Sequence, residues 1–169
     1  GDYWTAHLDA RRFQPTTSTH TLVLAGLLTL QSGQVGRDIP EYVDYHLGGS
    51  NTVRGYALEE LGASLFGKNQ WLGTLEYRFP LLPARELVVL GLAGDLGLAG
   101  AFFVDHGLAW NDGDDFALDR SRAGFGLGIR LLMPAVDMTR LDVGFDRDGN
   151  RRIHFAAFSK MAAQRFRLR

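Results

Sequence analysis

The chain has 169 residues, room for one ordinary domain, and contains no cysteine, which excludes a disulfide framework and any thiolate metal site. Its formal net charge is −1 with acidic and basic residues interspersed, so nothing in it addresses nucleic acid. Glycine (21) and phenylalanine (11) are abundant against three methionines, a balance that favours an all-β chain. A mean hydropathy of −0.08 suits a soluble β-protein and a membrane β-barrel equally, because one face of each barrel strand is polar.

The start, Gly1-Asp2-Tyr3-Trp4, lacks the basic and apolar regions of a signal peptide, so a targeting segment is expected outside this stretch. Tyr3 to Phe13 alternates, with Trp4, Ala6, Leu8 and Ala10 on one face and Thr5, His7, Asp9 and Arg11 on the other, the period of a strand. After a turn at Pro15-Thr16-Thr17-Ser18, Thr19 to Gln31 gives a second strand with Leu22, Leu24, Leu28 and Leu30 together. Residues from about 33 to 68 fit neither helix nor strand, and a connection of that length between strands points to function.

Asn69 to Pro80 resumes the alternation, with Trp71, Leu75, Tyr77 and Phe79 opposed by Thr74, Glu76 and Arg78. Pro83 is expected to break this strand, leaving Ala84 to Leu90 as either a helical turn or a strand extension. Gly97 to Trp110 carries Phe102, Val104, Leu108 and Trp110 on one side and Ala101, Phe103, Asp105, Gly107 and Ala109 on the other. Beyond the polar loop Asn111–Asp115, the segment from Ser121 to Leu132 alternates most cleanly. There Phe125, Leu127, Ile129 and Leu131 oppose Gly124, Gly126, Gly128 and Arg130. A tight turn at Pro134 leads to a strand from Met138 to Asp146, and Asp148-Gly149-Asn150 signals a hairpin into a last strand, Arg152 to Lys160.

These faces favour a membrane. The polar faces are rich in glycine with sparse Arg, Asp and Glu, as in a lumen against which other elements pack. The apolar faces carry Trp4, Trp71, Tyr77 and Trp110 near strand ends, as in the aromatic girdles of outer-membrane barrels. Strands of about 9 to 13 residues suit a tilted crossing, whereas a soluble β-sandwich, the alternative, uses shorter ones. No catalytic or metal constellation emerges. The five histidines are scattered, Asp112, Asp114 and Asp115 lack the spacing of a calcium loop, and Ser50 and Ser64 lack a nucleophile elbow. The expectation is a protein without enzymatic activity, cofactor or metal.

Three motifs then carry a resemblance: Gly48-Gly49-Ser50-Asn51-Thr52-Val53-Arg54-Gly55-Tyr56 in the long loop, Glu76-Tyr77-Arg78-Phe79-Pro80-Leu81 on the next strand, and Phe102-Phe103-Val104-Asp105-His106-Gly107 on the one after. In this order and spacing the chain resembles the BamA/TamA superfamily of outer-membrane assembly and translocation barrels from about Tyr3 to Lys160. The resemblance implies a transmembrane antiparallel β-barrel whose long loop folds back into the lumen with Val53, Arg54, Gly55 and Tyr56 at its tip. It also implies that the arginine meets wall carboxylates. Glu76 and Asp105 fall on inward faces of adjacent strands and are the expected partners of Arg54, the alternative being a solvated loop arginine beside two unrelated acids. Gly48, Gly49 and Gly55 are expected to supply unusual backbone conformations and close approach to the wall.

About seven strands can be counted, whereas family members have sixteen preceded by periplasmic modules that are absent here. The expectation is therefore that residues 1–169 form the C-terminal half of such a barrel. Alternatively, a small barrel is closed by an eighth strand at Glu86 to Gly94, or by another copy or partner chain. The family also stops at a terminal aromatic, while this chain continues through Gln164-Arg165-Phe166-Arg167-Leu168-Arg169. By resemblance the function is insertion or translocation of polypeptides in the bacterial outer membrane. The partners are outer-membrane lipids, client polypeptides and assembly-complex subunits. A barrel that anchors or exports a fused passenger, such as a lipase or adhesin, and a passive pore are the alternatives.

Overall fold

The computed structural model describes residues 2–41, 44–57, 66–89, 92–114, 120–133 and 136–158. Seven strands form one antiparallel sheet in chain order: β1 (Thr5–Pro15), β2 (Thr21–Gln31), β5 (Asn69–Val89), β6 (Leu92–Trp110), β7 (Arg122–Met133), β8 (Val136–Phe145) and β9 (Arg151–Phe158). The connection from β2 to β5 holds a separate two-stranded ribbon, β3 (Tyr45–His46) and β4 (Phe66–Gly67). Among the described residues, β1 and β9 are not paired with each other, so the sheet is an open section of wall.

The register shows that this wall is sheared as in a barrel. One row of paired residues runs Arg12, Leu24, Leu75, Val104, Phe125, Phe145, Arg151. It lies seven residues into β1 but at the first residue of β9. With about 3.4 Å per residue and about 4.8 Å between strands, that stagger tilts the strands by about 40°, within the range that barrel closure requires.

Alternation assigns the two faces. Leu24, Leu75, Phe102, Val104, Phe125, Leu127, Ile129, Leu141, Ile153 and Phe155 point to one side and are all exposed, a continuous apolar surface that water would not tolerate. Glu76, Phe103, Asp105, Arg130 and Asp142 point to the other and are buried beneath the β2–β5 connection. Trp4, Trp71 and Trp110 lie toward the end of the sheet where that connection emerges. Tyr77 lies toward the opposite end, in contact with His20 and Phe79, and Phe79 stacks on Phe102 at 5.3 Å. Two of the three connections at the first end are long (32–68, 111–121), the third being the β8–β9 turn (146–150), and those at the second are short, as between β1 and β2. In a membrane barrel the long connections are extracellular.

Three expectations are corrected. Pro83 does not break the third long strand: β5 continues to Val89, absorbing Pro80 and Pro83 through register shifts between Pro80 and Leu82 and between Leu82 and Arg85. The prolines are tolerated because β2 stops pairing at Arg78, so beyond it the outer edge of β5 needs no amide donors. The eighth wall strand expected at Glu86 to Gly94 is accordingly not what the described residues 86–89 and 92–94 form. They are the far end of the β5–β6 hairpin, with Glu86 opposite Asp95 and Val89 opposite Leu92. β5 and β6, with 21 and 19 residues, also exceed the expected strand length, because this hairpin projects past its neighbours. Pro134 and the segment from Ser159 on lie outside the described residues.

Candidate functional site

The β2–β5 connection leaves the sheet at Gln31 and is tied down at its stem. The Gln31 amide donates to Asn69 Oδ1 (2.8 Å) and the Lys68 amide to Asn111 Oδ1 (3.0 Å). The buried Lys68 ammonium donates to the Gly33 carbonyl and to Asp112, both at 2.5 Å. From there the chain turns over the inner face. Gly48 and Gly49 adopt φ of 129° and 89°, conformations that suit glycine. The turn is closed by the Gly48 amide donating to Thr52 Oγ1 (2.7 Å), that hydroxyl donating to the Gly48 carbonyl (2.7 Å), and the Gly49 amide donating to the Tyr56 carbonyl (2.7 Å). The apolar side chains of this hook hold it to the wall. Leu47 and Val53 are fully buried, and Tyr56 and Leu72 pack around Leu47 and Ala109.

The hook delivers Arg54, 3 % exposed, into a cluster of wall carboxylates. Its Nε and Nη2 grip Asp105 in bidentate fashion (2.7 and 2.9 Å), and its backbone amide donates to the same carboxylate (3.1 Å). Its Nη1 donates to Glu76 Oε2 (2.8 Å) and to Asp142 Oδ2 (3.1 Å). The guanidinium lies 3.5 Å over the Phe103 ring, a cation–π contact strengthened by the burial of both groups. Its carbonyl accepts from His154 Nε2 (2.7 Å), so β9 reaches the hook as well. Burial on its own would lower the pKa of this guanidinium. The hydrogen bonds and charges of Asp105, then of Glu76, outweigh burial and raise it, so Arg54 is a permanent cation.

The structure thus brings Arg54, Glu76 and Asp105 into one constellation and adds residues that had no role in the sequence expectation. Arg130 of β7 bridges Glu76 (Nη2 to Oε2, 2.9 Å) and Asp142 of β8. Arg78 donates to Glu76 Oε1 (2.7 Å), and Thr74 donates to Asp105 Oδ1 (3.0 Å). Arg140 donates to the Ser50 carbonyl and to Asn51 Oδ1, holding the other side of the hook. Two buried arginines facing three buried carboxylates leave one excess negative charge, which Arg78 and Arg140 at the rim more than offset. Withdrawing the loop would leave Asp105 without its guanidinium and take one donor each from Glu76 and Asp142, the situation that makes buried charges costly.

Glycines set the spacing. Gly55 has no left-handed backbone, and its role is close approach: a Cβ there would lie 2.5 Å from the Phe145 carbonyl oxygen. On the wall, a Cβ at Gly124 would come within 2.6 Å of the Gly55 nitrogen, and one at Gly144 would collide with the Arg54 carbonyl. A Cβ at Gly126 would strike Phe103, and one at Gly128 would strike the Arg130–Asp142 pair. Among the described residues no group of three or more His, Asp and Glu side chains is arranged to hold a metal.

A tilted antiparallel wall, apolar outside, with a buried ionic hook inside, defines a section of transmembrane β-barrel with a lumen plug. Comparison with known proteins gives it a family: the Omp85 superfamily domain matches residues 1–157, and the chain belongs to that superfamily, which places it in an outer membrane. It is similar to the chloroplastic outer envelope protein 80 of Arabidopsis thaliana, 28 % identical over 137 residues, covering 76 % of this chain and 16 % of that protein. The crystal structure of BamA from Haemophilus ducreyi lacking POTRA domains 1–3 superposes with a TM-score of 0.67 at 18 % identity, over 91 % of this chain and 34 % of that one. The chain therefore spans about a sixth of the first and a third of the second.

Proposed function

We propose that this chain is the C-terminal wall and lumen plug of a bacterial outer-membrane barrel that assists the insertion or translocation of other polypeptides, without enzymatic chemistry. Residues 1–169 then form part of one barrel domain, completed by further strands of a longer chain or by a partner. Its partners are outer-membrane lipids, client polypeptides and assembly subunits.

The observation that carries this reading is the buried hook. A passive pore gains nothing from filling its lumen with a loop bound through a desolvated guanidinium to β5, β6 and β8. A barrel that must hold its wall in register while part of it opens does gain, because the hook ties strands together without using their edges. Val53, Arg54, Gly55 and Tyr56 act as the tip, Glu76 and Asp105 as its receptors, and Gly48 and Gly49 as the bend. The test is client assembly in proteoliposomes containing the full-length protein. Arg54→Ala should reduce folding of an added outer-membrane client at least tenfold while the barrel itself remains inserted. Unchanged client folding with a displaced loop would overturn the proposal.

A further inference from the structure

The register row that reveals the strand tilt also has a chemical pattern. Its five central members, Leu24, Leu75, Val104, Phe125 and Phe145, are apolar and lie on the membrane face, and its two ends are Arg12 and Arg151. Both arginines are exposed and share the parity of the outer face. Arg12 follows Trp4, Ala6, Leu8 and Ala10 along β1, and Arg151 precedes the highly exposed Ile153 and Phe155 along β9. A cation facing acyl chains is costly near the bilayer centre and nearly free at the interfaces.

Tilt resolves their depth. Six inter-strand steps at about 40° separate the two ends of the row by about 19 Å along the membrane normal. Arg151 opens β9 at the end where the long connection emerges, and Arg12 lies three residues before the close of β1 at the opposite end. Two long side chains that extend outward from such positions reach the headgroup layers on opposite sides of an apolar band about 25 Å tall. Arg12 holds its guanidinium toward the same end, donating to Gln14 Oε1 at 2.7 Å. By contrast Arg11, the next residue, has inward parity and pairs with Asp9.

We propose that Arg12 and Arg151 are a pair of depth anchors, each binding the phosphate of a lipid headgroup, one in each leaflet. The planar guanidinium suits phosphate through paired N–H donors, and an anionic headgroup supplies the charge that neither arginine finds among the described residues. This rests on the chain spanning the membrane, and adds the positions that set how deep it sits.

The test uses the full-length protein in phosphatidylglycerol vesicles, with a spin label on a cysteine placed at Ala10 or at Ile153. Accessibility to oxygen and to a water-soluble relaxant gives label depth. Arg12→Leu should bury the Ala10 label, and Arg151→Leu the Ile153 label, by about 3 Å or more, the rise of one residue. Arg→Lys should preserve both depths, and Arg11→Leu should change neither. In vesicles of an uncharged, phosphate-free galactolipid the unsubstituted arginines should give the depths of the leucine variants. Depths that ignore the leucine substitutions, or that are the same in both lipids, would refute phosphate anchoring. A label at Ile153 that meets no lipid would refute the membrane-spanning reading itself, and this proposal with it.

Discussion

Arg54 of the loop and Arg130 of the wall donate to the same oxygen, Oε2 of Glu76, at 2.8 and 2.9 Å. Arg130 also bridges to Asp142, which Arg54 contacts from the other side. The wall therefore carries its own internal cation. If the hook were withdrawn, Glu76 would keep Arg130 and Arg78, and Asp142 would keep Arg130 with Arg140 at 3.8 Å. Asp105 is different: among the described residues Arg54 is its only ion-pair partner, and Thr74 supplies only a hydroxyl.

The three carboxylates should accordingly rank. Asp105→Ala is expected to destabilise the docked loop by about 3–5 kcal/mol, the usual effect of breaking a buried pair. Arg54→Ala should act similarly, and the double variant should be little worse than either. Glu76→Gln should lose less, because the amide still accepts from one arginine. Denaturant titration of the refolded full-length protein, monitored by protease access to residues near Ser50, measures each. Additive losses from Arg54 and Asp105 would argue against direct coupling.

Arg130→Gln tests the internal cation. Glu76 and Asp142 would then lean on Arg54, so the loop should bind more tightly relative to a wall that is itself weaker by about 1–3 kcal/mol. Hydrogen exchange separates the two, with slower exchange expected at the Gly49 and Arg54 amides and faster exchange in β7 and β8.

Much of the arrangement was legible in the sequence because a strand alternates with period two. Parity alone puts Glu76, Asp105, Arg130 and Asp142 on inward faces and Phe102 and Ile153 on outward ones. What parity does not give is register. That Arg130 lies one strand from Asp142 and within reach of Glu76 depends on how β5, β6, β7 and β8 slide past one another, which the turns and bulges set. The same gap explains β5 and β6. Pro83 reads as a breaker until it is known that β2 has already ended beside it. His154 gave no signal, since its contact is with a backbone carbonyl of a loop a hundred residues away.

The β8–β9 turn is an acid-sensitive point outside the strands. Burial pushes the Asp146 carboxyl up, but hydrogen bonds from Asn150, then the Asp148 and Gly149 amides, hold it below its usual value. A depressed folded-state pKa stabilises above the unfolded value near 3.8 and loses that stabilisation as pH falls through the folded one. Amide exchange at Asp148 and Asn150, both donors to Asp146, should therefore be flat at neutral pH and accelerate below about pH 4 beyond the intrinsic rate.

Gly144 offers a way to displace the hook without removing a charge. A methyl group there would overlap the Arg54 carbonyl and press on the Gly55 nitrogen at 3.1 Å, both backbone atoms that cannot rotate away. Since β8 pairs with β7 and β9 through its backbone, the sheet can accept alanine while the loop cannot. Gly144→Ala should cost about 1–3 kcal/mol, as overpacking does, and the loss should appear as exposure of the loop rather than loss of the barrel. A cysteine at Ser50 should react with a water-soluble maleimide at least fivefold faster in Gly144→Ala than in the parent, with the heat-modifiable band shift of the folded barrel preserved. Gly113→Ala, where added bulk meets nothing within 4 Å, is the control for a substitution that strains only its own backbone. Equal reactivity in parent and Gly144→Ala would mean that the loop does not sit against β8 in the membrane.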